Sequence, residues 1–164
     1  MNDELLIKKA ESIVPSLIDK QITLSVAESC TGGWLSKILT DVSGISSIYK
    51  GGICSYSNEI KMKLLGVKPE TLVAYGAVSE QTAREMAQGV RNAMGTDVGI
   101  GITGIAGPKS DNTLKPVGLI YVAIADGNKT LVKELRNEFS ENIRLNNRLS
   151  AVEAALNLLG GIVV

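Results

Sequence analysis

Alternating apolar and polar stretches along the chain predict an α/β protein. Short runs rich in Ile, Val, Leu and Ala, bounded by turn residues, indicate buried strands at residues 22–27, 49–56, 97–103, 117–125 and 129–136. Between these runs, helical spacing of apolar residues predicts helices over residues 4–20, 31–40, 59–65, 69–75, 79–94 and 141–159. Asp126-Gly127-Asn128 is a hairpin turn signal, so we expect the last two strands to be antiparallel.

We expect one domain over residues 1–164, because the chain has no internal repeat, linker or low-complexity tract. Five strands interleaved with helices predict a mixed sheet covered on both faces, with ligands at the carboxyl ends of its strands. Pro15 can bend or divide the first helix. The expected apolar positions of that helix are Leu5, Ile7, Ile13, Leu17 and Ile18.

The amino-acid composition argues against a nucleic-acid or membrane partner. Aromatic residues make up only 4% of the chain, and 17 basic residues balance 17 acidic ones, so nothing indicates a nucleic-acid partner. No apolar run is long enough for a membrane helix, and the acidic start at residues 1–5 is unlike a signal peptide. We therefore expect a cytoplasmic protein with no membrane partner, in which Cys30 and Cys54 are reduced thiols.

The absence of histidine is the most restrictive feature of the composition. It excludes Ser-His-Asp and Cys-His systems, so any nucleophile must be activated by lysine, tyrosine, a carboxylate or a metal. A zinc site would lack its usual ligands, because the chain also has no closely spaced pair of cysteines.

Ser29 is the first candidate nucleophile because it lies where a strand ends and a predicted helix begins. The amides of Thr31, Gly32 and Gly33 would then point from the helix start towards an oxyanion or a phosphate. An alternative is that Ser29 or Thr31 only caps the helix, and the motif alone favours this alternative. Cys30 is a rival nucleophile, although buried cysteine is the commoner case.

Three further segments are candidates for chemistry. Tyr56 ends a strand, and Lys61 lies near the start of the next helix, where burial would lower the pKa of its amine; a solvated surface lysine is the alternative. The glycine-dense stretch 99–108 allows close approach of backbone to a ligand. Arg144 and Arg148 share one helix face and could bind a phosphate or carboxylate; the alternative is a solvated face or an ion pair with Glu141.

In combination, these segments resemble the CinA C-terminal domain family, including its stand-alone, PncC-type nicotinamide-nucleotide amidases. The resemblance covers nearly the whole chain. It rests on AESCTGG at 27–33, GGICSYSNEIKMKLLGV at 51–67, GAVSEQTAREMA at 76–87, TGIAGP at 103–108 and KPVG at 115–118. Family members commonly carry Gly-Asp-Arg after an aromatic near the last helix, whereas this chain has FSENIR at 139–144.

The resemblance implies a three-layer α/β/α fold and hydrolysis of the carboxamide of nicotinamide mononucleotide to nicotinate mononucleotide and ammonia. The family's catalytic serine, tyrosine and lysine fall on Ser29, Tyr56 and Lys61. Together with the apolar faces of the helices, the resemblance further implies a homo-oligomer, a dimer or higher. The implied reaction needs neither a metal nor an organic cofactor. Substrate-binding residues are expected to be Thr31, Gly32, Gly33, Thr103, Gly104, Arg144 and Arg148.

Two alternatives remain open at this point. One is an amidase for another small carboxamide, and the other is a non-catalytic nucleotide- or partner-binding module with the same fold. The presence of all three expected catalytic residues favours an enzyme, because a family member that has lost its activity need not keep them.

Overall fold

A mixed five-stranded sheet forms the centre of the computed structural model, which describes residues 1–163. Its strands are β1 (Leu24–Glu28), β2 (Tyr49–Cys54), β3 (Val98–Gly104), β4 (Leu119–Ala125) and β5 (Thr130–Arg136). The strand order is β2-β1-β3-β4-β5. β2, β1 and β3 run parallel, whereas β4 pairs antiparallel with both β3 and β5. The predicted mixed sheet and its antiparallel hairpin are confirmed.

Helices cover both faces of this sheet. They are α1 (Asp3–Asp19), α2 (Trp34–Thr40), α3 (Asn58–Leu65), α4 (Pro69–Tyr75), α5 (Glu80–Met94) and α6 (Ile143–Val163), with a short 3₁₀ turn at Ile45–Ser47. Side chains of α1, α2 and α6 pack against one face in the main apolar cluster, which includes Val26 and Ile100. On the other face Ala27 packs with Met86 and Val90 of α5. The three-layer α/β/α fold is therefore confirmed.

Alternate glycines in β3 let α5 lie unusually close to the sheet. A Cβ on Gly99 would lie 2.2 Å from the carbonyl oxygen of Ala87, and one on Gly101 would lie 2.6 Å from that of Ala83. Any larger residue would therefore force α5 away from β3. The expectation that this glycine-dense stretch approaches a ligand is wrong at these two positions, because they face a helix.

The segment between β1 and α2 differs from its prediction. The helix expected from Thr31 begins only at Trp34, because Gly32 and Gly33 have φ values of +60° and +94°. These left-handed conformations are available to glycine at little cost but interrupt a right-handed helix. Residues 29–33, which we call the nucleophile segment, therefore form a turn between strand and helix.

The predicted apolar face of α1 is confirmed at Ile13 and Leu17, which are buried, and at Ile7 and Ile18, which pack against the core, but it is wrong at Leu5. Leu5 is 56% exposed, whereas Leu6 is buried, and the helix continues through Pro15 without a break. The buried residues follow helical spacing and are Leu6, Ala10, Ile13, Val14 and Leu17. No helix within residues 1–163 combines the length and apolar character needed to cross a membrane.

Candidate active site

Ser29 lies immediately after β1 and does not cap α2. Its N–H donates to the carbonyl of Ile102, which anchors the start of the nucleophile segment to β3 (3.0 Å). The N-cap position of α2 is Gly33, which has no side chain to cap the helix. The helix-cap interpretation of Ser29 and Thr31 is therefore wrong, and the Ser29 hydroxyl is left for another partner.

That partner is Lys61, which α3 carries into the interior. Ser57 caps the helix by accepting a hydrogen bond from the N–H of Ile60 (3.2 Å), which places Lys61 in the first turn. Lys61 is only 2% exposed, so the surface-lysine alternative is wrong. Its Nζ donates to the carbonyl of Ser55 at 2.6 Å and to Oγ of Ser29 at 3.1 Å.

Burial lowers the pKa of Lys61 to about 8. The cause is desolvation, because a buried ammonium loses the hydration that stabilises its charge, and the nearby Cys30 opposes this only in part. An amine with a pKa near 8 is partly neutral at physiological pH. The structure thus joins a serine hydroxyl to a lysine that can accept its proton.

Tyr56 lies next to Ser55 in the chain, but its hydroxyl faces another direction. Its side chain is 65% exposed, and its hydroxyl accepts a hydrogen bond from Arg144 (3.1 Å). Arg144 also donates to the carbonyl of Gly107 at 2.9 Å. Within residues 1–163 no hydrogen bond joins the Tyr56 hydroxyl to Ser29 or Lys61, so its direct part in proton transfer stays a prediction.

The expected oxyanion donors are only partly available. The Gly32 N–H donates to the carbonyl of Ser29 at 3.1 Å and is therefore engaged within the turn. The N–H groups of Cys30, Thr31 and Gly33 donate to no other part of residues 1–163, which leaves three candidate donors beside the nucleophile. Their role in stabilising an oxyanion stays a prediction.

Two buried hydroxyls near the Ser29–Lys61 pair have no hydrogen-bond partner within the described residues. Oγ1 of Thr31 and Oγ of Ser55 make no hydrogen bond within the described chain. Thr31 is two residues from Ser29, and the Ser55 carbonyl binds Lys61. Buried polar groups are usually paired, because leaving one unpaired costs about 1–3 kcal/mol. Both residues are fully buried, so neither hydroxyl is open to a ligand in this structure, and the expected binding of substrate by Thr31 stays a prediction.

Arg148 contacts the protein backbone. Its Nε donates to the carbonyl of Cys30 (3.1 Å) and its Nη2 to the carbonyl of Thr31 (2.9 Å). The guanidinium also stacks on Trp34, with 4.7 Å between its central carbon and the ring centroid. The two arginines on one helix face thus have different partners: Arg144 binds at Tyr56, and Arg148 holds the nucleophile segment.

Thr103 and Gly104 end β3 beside the site. The buried Thr103 hydroxyl donates to the carbonyl of Ala77 at 2.7 Å, which links β3 to the loop before α5. A Cβ on Gly104 would lie 2.6 Å from the side chain of Ile120, so a residue larger than glycine does not fit at the end of β3. The observed contacts of both residues are structural, and their expected binding of substrate stays a prediction.

Glu28 is the residue that sequence reasoning missed. It is 1% exposed, and its carboxylate accepts hydrogen bonds from the N–H groups of Leu35 (3.0 Å) and Ser36 (2.9 Å) and from the Ser36 hydroxyl (2.8 Å). This carboxylate therefore binds the N–H groups in the first turn of α2, which are not free to bind a substrate anion. The available signal was an acidic residue at the end of an otherwise apolar strand.

Cys30 is not a competing nucleophile. It is buried, and desolvation raises the pKa of its thiol to about 12, so the reactive thiolate is scarce. Cys54 is a free, exposed thiol. No group of three metal-ligating side chains suited to bind an ion occurs among residues 1–163.

Comparison with known proteins identifies the family. The model of the CinA C-terminal domain matches residues 6–163. A CinA-like protein of Syntrophomonas wolfei is 53% identical over 136 residues, which are 83% of this chain and 32% of that protein. The chain therefore spans about a third of the length of the curated relatives it matches.

Solved structures agree with this result across almost the whole chain. The competence/damage inducible protein CihA from Agrobacterium tumefaciens has a TM-score of 0.90 and 36% identity, covering 99% of this chain and 96% of that one. A competence or damage-inducible protein from Enterobacter asburiae has a TM-score of 0.91 and 33% identity, covering 97% and 98%.

Proposed function

The chain belongs to the CinA C-terminal domain family, and from this premise we propose that it is an amidohydrolase with Ser29 as its nucleophile. The observation that carries the proposal is the 3.1 Å hydrogen bond between Ser29 and the buried Lys61. The proposed substrate is nicotinamide mononucleotide, which would yield nicotinate mononucleotide and ammonia. A binding module would not require a buried lysine placed against a serine hydroxyl.

In the first proposed step, neutral Lys61 removes the proton of Ser29. One Nζ–H keeps its hydrogen bond to the carbonyl of Ser55, which directs the nitrogen lone pair towards the Ser29 hydroxyl. As the proton moves to Nζ, the serine oxygen attacks the carbonyl carbon of the amide. The C=O electron pair moves onto oxygen and forms a tetrahedral oxyanion.

The oxyanion would be stabilised by N–H groups of the nucleophile segment, among which those of Cys30, Thr31 and Gly33 are unengaged. Collapse of the intermediate breaks the C–N bond. The leaving nitrogen takes the proton from Lys61, directly or through Tyr56, and departs as ammonia. Water then attacks the Ser29 ester with Lys61 as the base, which releases the acid and restores Ser29.

Recognition of the substrate is proposed for Tyr56 and Arg144 at the exposed side of the site. Their hydrogen bond places an aromatic ring and a guanidinium together, and these groups suit a pyridine ring and a phosphate respectively.

Ammonia release tests the proposal. Purified protein is given nicotinamide mononucleotide, nicotinamide riboside or nicotinamide, each in the presence of a chelator, beside the variant Ser29→Ala. We expect release from the mononucleotide and at least a roughly 10³-fold lower rate for the variant. Equal rates for wild type and variant would overturn the mechanism.

The same substrates separate the alternatives. Equal activity on phosphorylated and unphosphorylated substrates would favour an amidase for another carboxamide, with no phosphate recognition by Arg144. Tight binding of the mononucleotide with no release of ammonia would favour a binding module. Under the proposal, Arg144→Ala raises KM for the mononucleotide more than for the riboside.

We also propose a homo-oligomer. Val73 is 89% exposed and Tyr75 is 51% exposed on α4, and Leu114 is fully exposed on the loop before β4, which leaves apolar surface available to a second copy. Sedimentation of the wild type would show a dimer or larger species, and a monomer at all concentrations would contradict this.

A further inference from the structure

The nucleophile segment needs external support. It has no regular secondary structure, and Gly32 and Gly33 allow its backbone many conformations. Two of its own hydrogen bonds close the turn, from Gly32 N–H to the carbonyl of Ser29 and from Trp34 N–H to that of Thr31. Catalysis by oriented amides requires a more tightly fixed backbone than such a turn provides by itself.

Glu28 connects the two ends of this segment. Its backbone ends β1 and directly precedes Ser29, while its carboxylate is bound to Leu35 and Ser36 in the first turn of α2. A buried carboxylate is stable only when its oxygens are hydrogen-bonded, so separation of strand and helix would leave it unpaired. Glu28 therefore fixes the distance that the segment has to span.

Arg148 fixes the direction of the peptide groups within the segment. A trans peptide is planar, and its N–H points opposite to its C=O. Because Arg148 binds the carbonyl of Cys30, the N–H of Thr31 in the same peptide must point away from the guanidinium. The Thr31 N–H is one of the unengaged donors, so Arg148 sets its direction without touching the substrate.

We propose that Glu28 and Arg148 are positioning residues, which hold the nucleophile segment from its two sides so that its free amides meet the developing oxyanion. The inference rests on the proposed function, since it assumes acyl transfer through Ser29. It assigns Arg148 to the enzyme's own backbone, and it leaves Arg144 as the arginine that meets substrate.

Isosteric replacement of Glu28 is the first test. In Glu28→Gln the side-chain NH₂ would face an N–H donor, which breaks at least one hydrogen bond to α2. We expect kcat to fall about 10- to 100-fold with KM changed less than about threefold. The pH midpoint of kcat should stay near that of the wild type, because Glu28 positions the backbone and does not set the basicity of Lys61.

Arg148→Lys is the second test, because lysine keeps the charge but cannot span both carbonyls and stack on Trp34. It should show the same loss of kcat with KM nearly constant. Glu85→Gln is a matched control: Glu85 accepts hydrogen bonds from Lys68 N–H and the Thr71 hydroxyl at the start of α4, away from the nucleophile. Its kcat should stay within about twofold of the wild type.

Several results would overturn the inference. These are an unchanged kcat in both variants, a rise in KM at constant kcat, or a shift of the pH midpoint in Glu28→Gln. If Glu28→Gln does not fold, as judged by circular dichroism and thermal melting, Arg148→Lys and Ser36→Ala still decide the question. Ser36→Ala removes the hydroxyl donor to Glu28, together with the acceptor of the Tyr49 hydroxyl, and leaves both N–H donors to Glu28, so it should give a smaller loss of kcat.

A chemical probe separates this inference from the proposed function. Phenylmethanesulfonyl fluoride sulfonylates an activated serine with loss of fluoride and needs no amide substrate. Mass spectrometry would follow labelling of wild type, Ser29→Ala and the two positioning variants. If wild type releases no ammonia but labels at Ser29, and both variants label at least about tenfold more slowly, the substrate proposal fails while the positioning role stands. Equal labelling rates in the wild type and the two variants would overturn the positioning role.

Discussion

Two polar clusters lie at opposite ends of β1 and β3, and they differ in how completely their groups are paired. The amino-end cluster consists of Thr23, Ser25, Thr96 and Asp97. The carboxyl-end cluster consists of Ser29, Thr31, Ser55 and Lys61.

In the amino-end cluster every side chain has hydrogen-bond partners. Asp97 accepts from both the N–H and the hydroxyl of Thr23 (2.8 and 2.7 Å), and the Ser25 and Thr96 hydroxyls lie 2.7 Å apart. In the carboxyl-end cluster the hydroxyls of Thr31 and Ser55 are unpaired, and Lys61 has a lowered pKa.

Polarity alone therefore does not mark a functional site in this fold. Buried polar groups that satisfy one another stabilise the native state, whereas incompletely paired groups cost stability and retain the capacity to bind and react. Mutations should therefore reduce stability at the amino end and activity at the carboxyl end. The following predictions test this separation.

The largest effect is expected from Lys61→Met. Methionine fills a similar volume without the amine, so kcat/KM should fall about 10²- to 10⁴-fold. The free energy of unfolding should stay within about 1 kcal/mol of the wild type or increase, because a buried amine is costly to desolvate. Steady-state kinetics and thermal melting measure the two quantities. Large destabilisation with residual activity would show that Lys61 serves the stability of the fold and not the reaction.

The second effect concerns pH. Because neutral Lys61 is the proposed base and its pKa is about 8, kcat/KM should rise about tenfold per pH unit below pH 8 and level off above it. A rate profile from pH 6 to 10 measures this. A flat profile across pH 7–9 would show that Lys61 does not titrate in the rate-limiting step.

Lys61 also links stability to pH. Its folded pKa of about 8 lies below the ordinary value of 10.5, so between these values the unfolded chain binds more protons and stability should rise with pH. The measured quantity is the unfolding free energy of wild type minus that of Lys61→Met, because all other titratable groups are common to the two proteins. This difference should increase from pH 8 towards 10.5, and a decrease would contradict the lowered pKa.

A third, smaller effect, on stability and not on activity, is expected from a change in the amino-end cluster. Ser25 is fully buried, and its hydroxyl contacts Thr96 and the carbonyl of Val90. Ser25→Ala should lower the free energy of unfolding by about 1–2 kcal/mol while kcat and KM stay within about twofold of the wild type. Urea denaturation beside the ammonia assay would check both. A selective loss of kcat would show that the two ends are coupled.

The smallest effect is expected from Asp97→Asn. Hydrogen bonds from the N–H and hydroxyl of Thr23 lower the pKa of Asp97 below its ordinary 3.8. The contribution of ionised Asp97 to the free energy of unfolding is therefore fully present above pH 3.8. It is lost as the pH falls through the lower pKa of the folded state. Because Asp97 is exposed, we expect about 1 kcal/mol of destabilisation at pH 7 and no change in activity. Melting at pH 7 and pH 3 would show the difference narrowing in acid.

Much of the fold was predictable from the chain because local patterns determine it. Apolar runs located all five strands, and Asp126-Gly127-Asn128 located the hairpin between β4 and β5. The start of α2 was misplaced because Gly32 and Gly33 were assumed to be helical. The close packing of α5 on Gly99 and Gly101 was missed because spacing along the chain does not reveal what faces a glycine.

The sheet, most helices and the residues able to act as nucleophile and base could be predicted from the sequence, because hydrophobic period and the absence of histidine are properties of the chain. Which of these residues meet depends on the folding of distant segments against each other. Ser29 and Lys61 are 32 positions apart, and their contact depends on the parallel pairing of β1 with β2. The burial that lowers the pKa of Lys61 likewise exists only after packing. The same is true of the different backbone partners of Arg148 and Arg144.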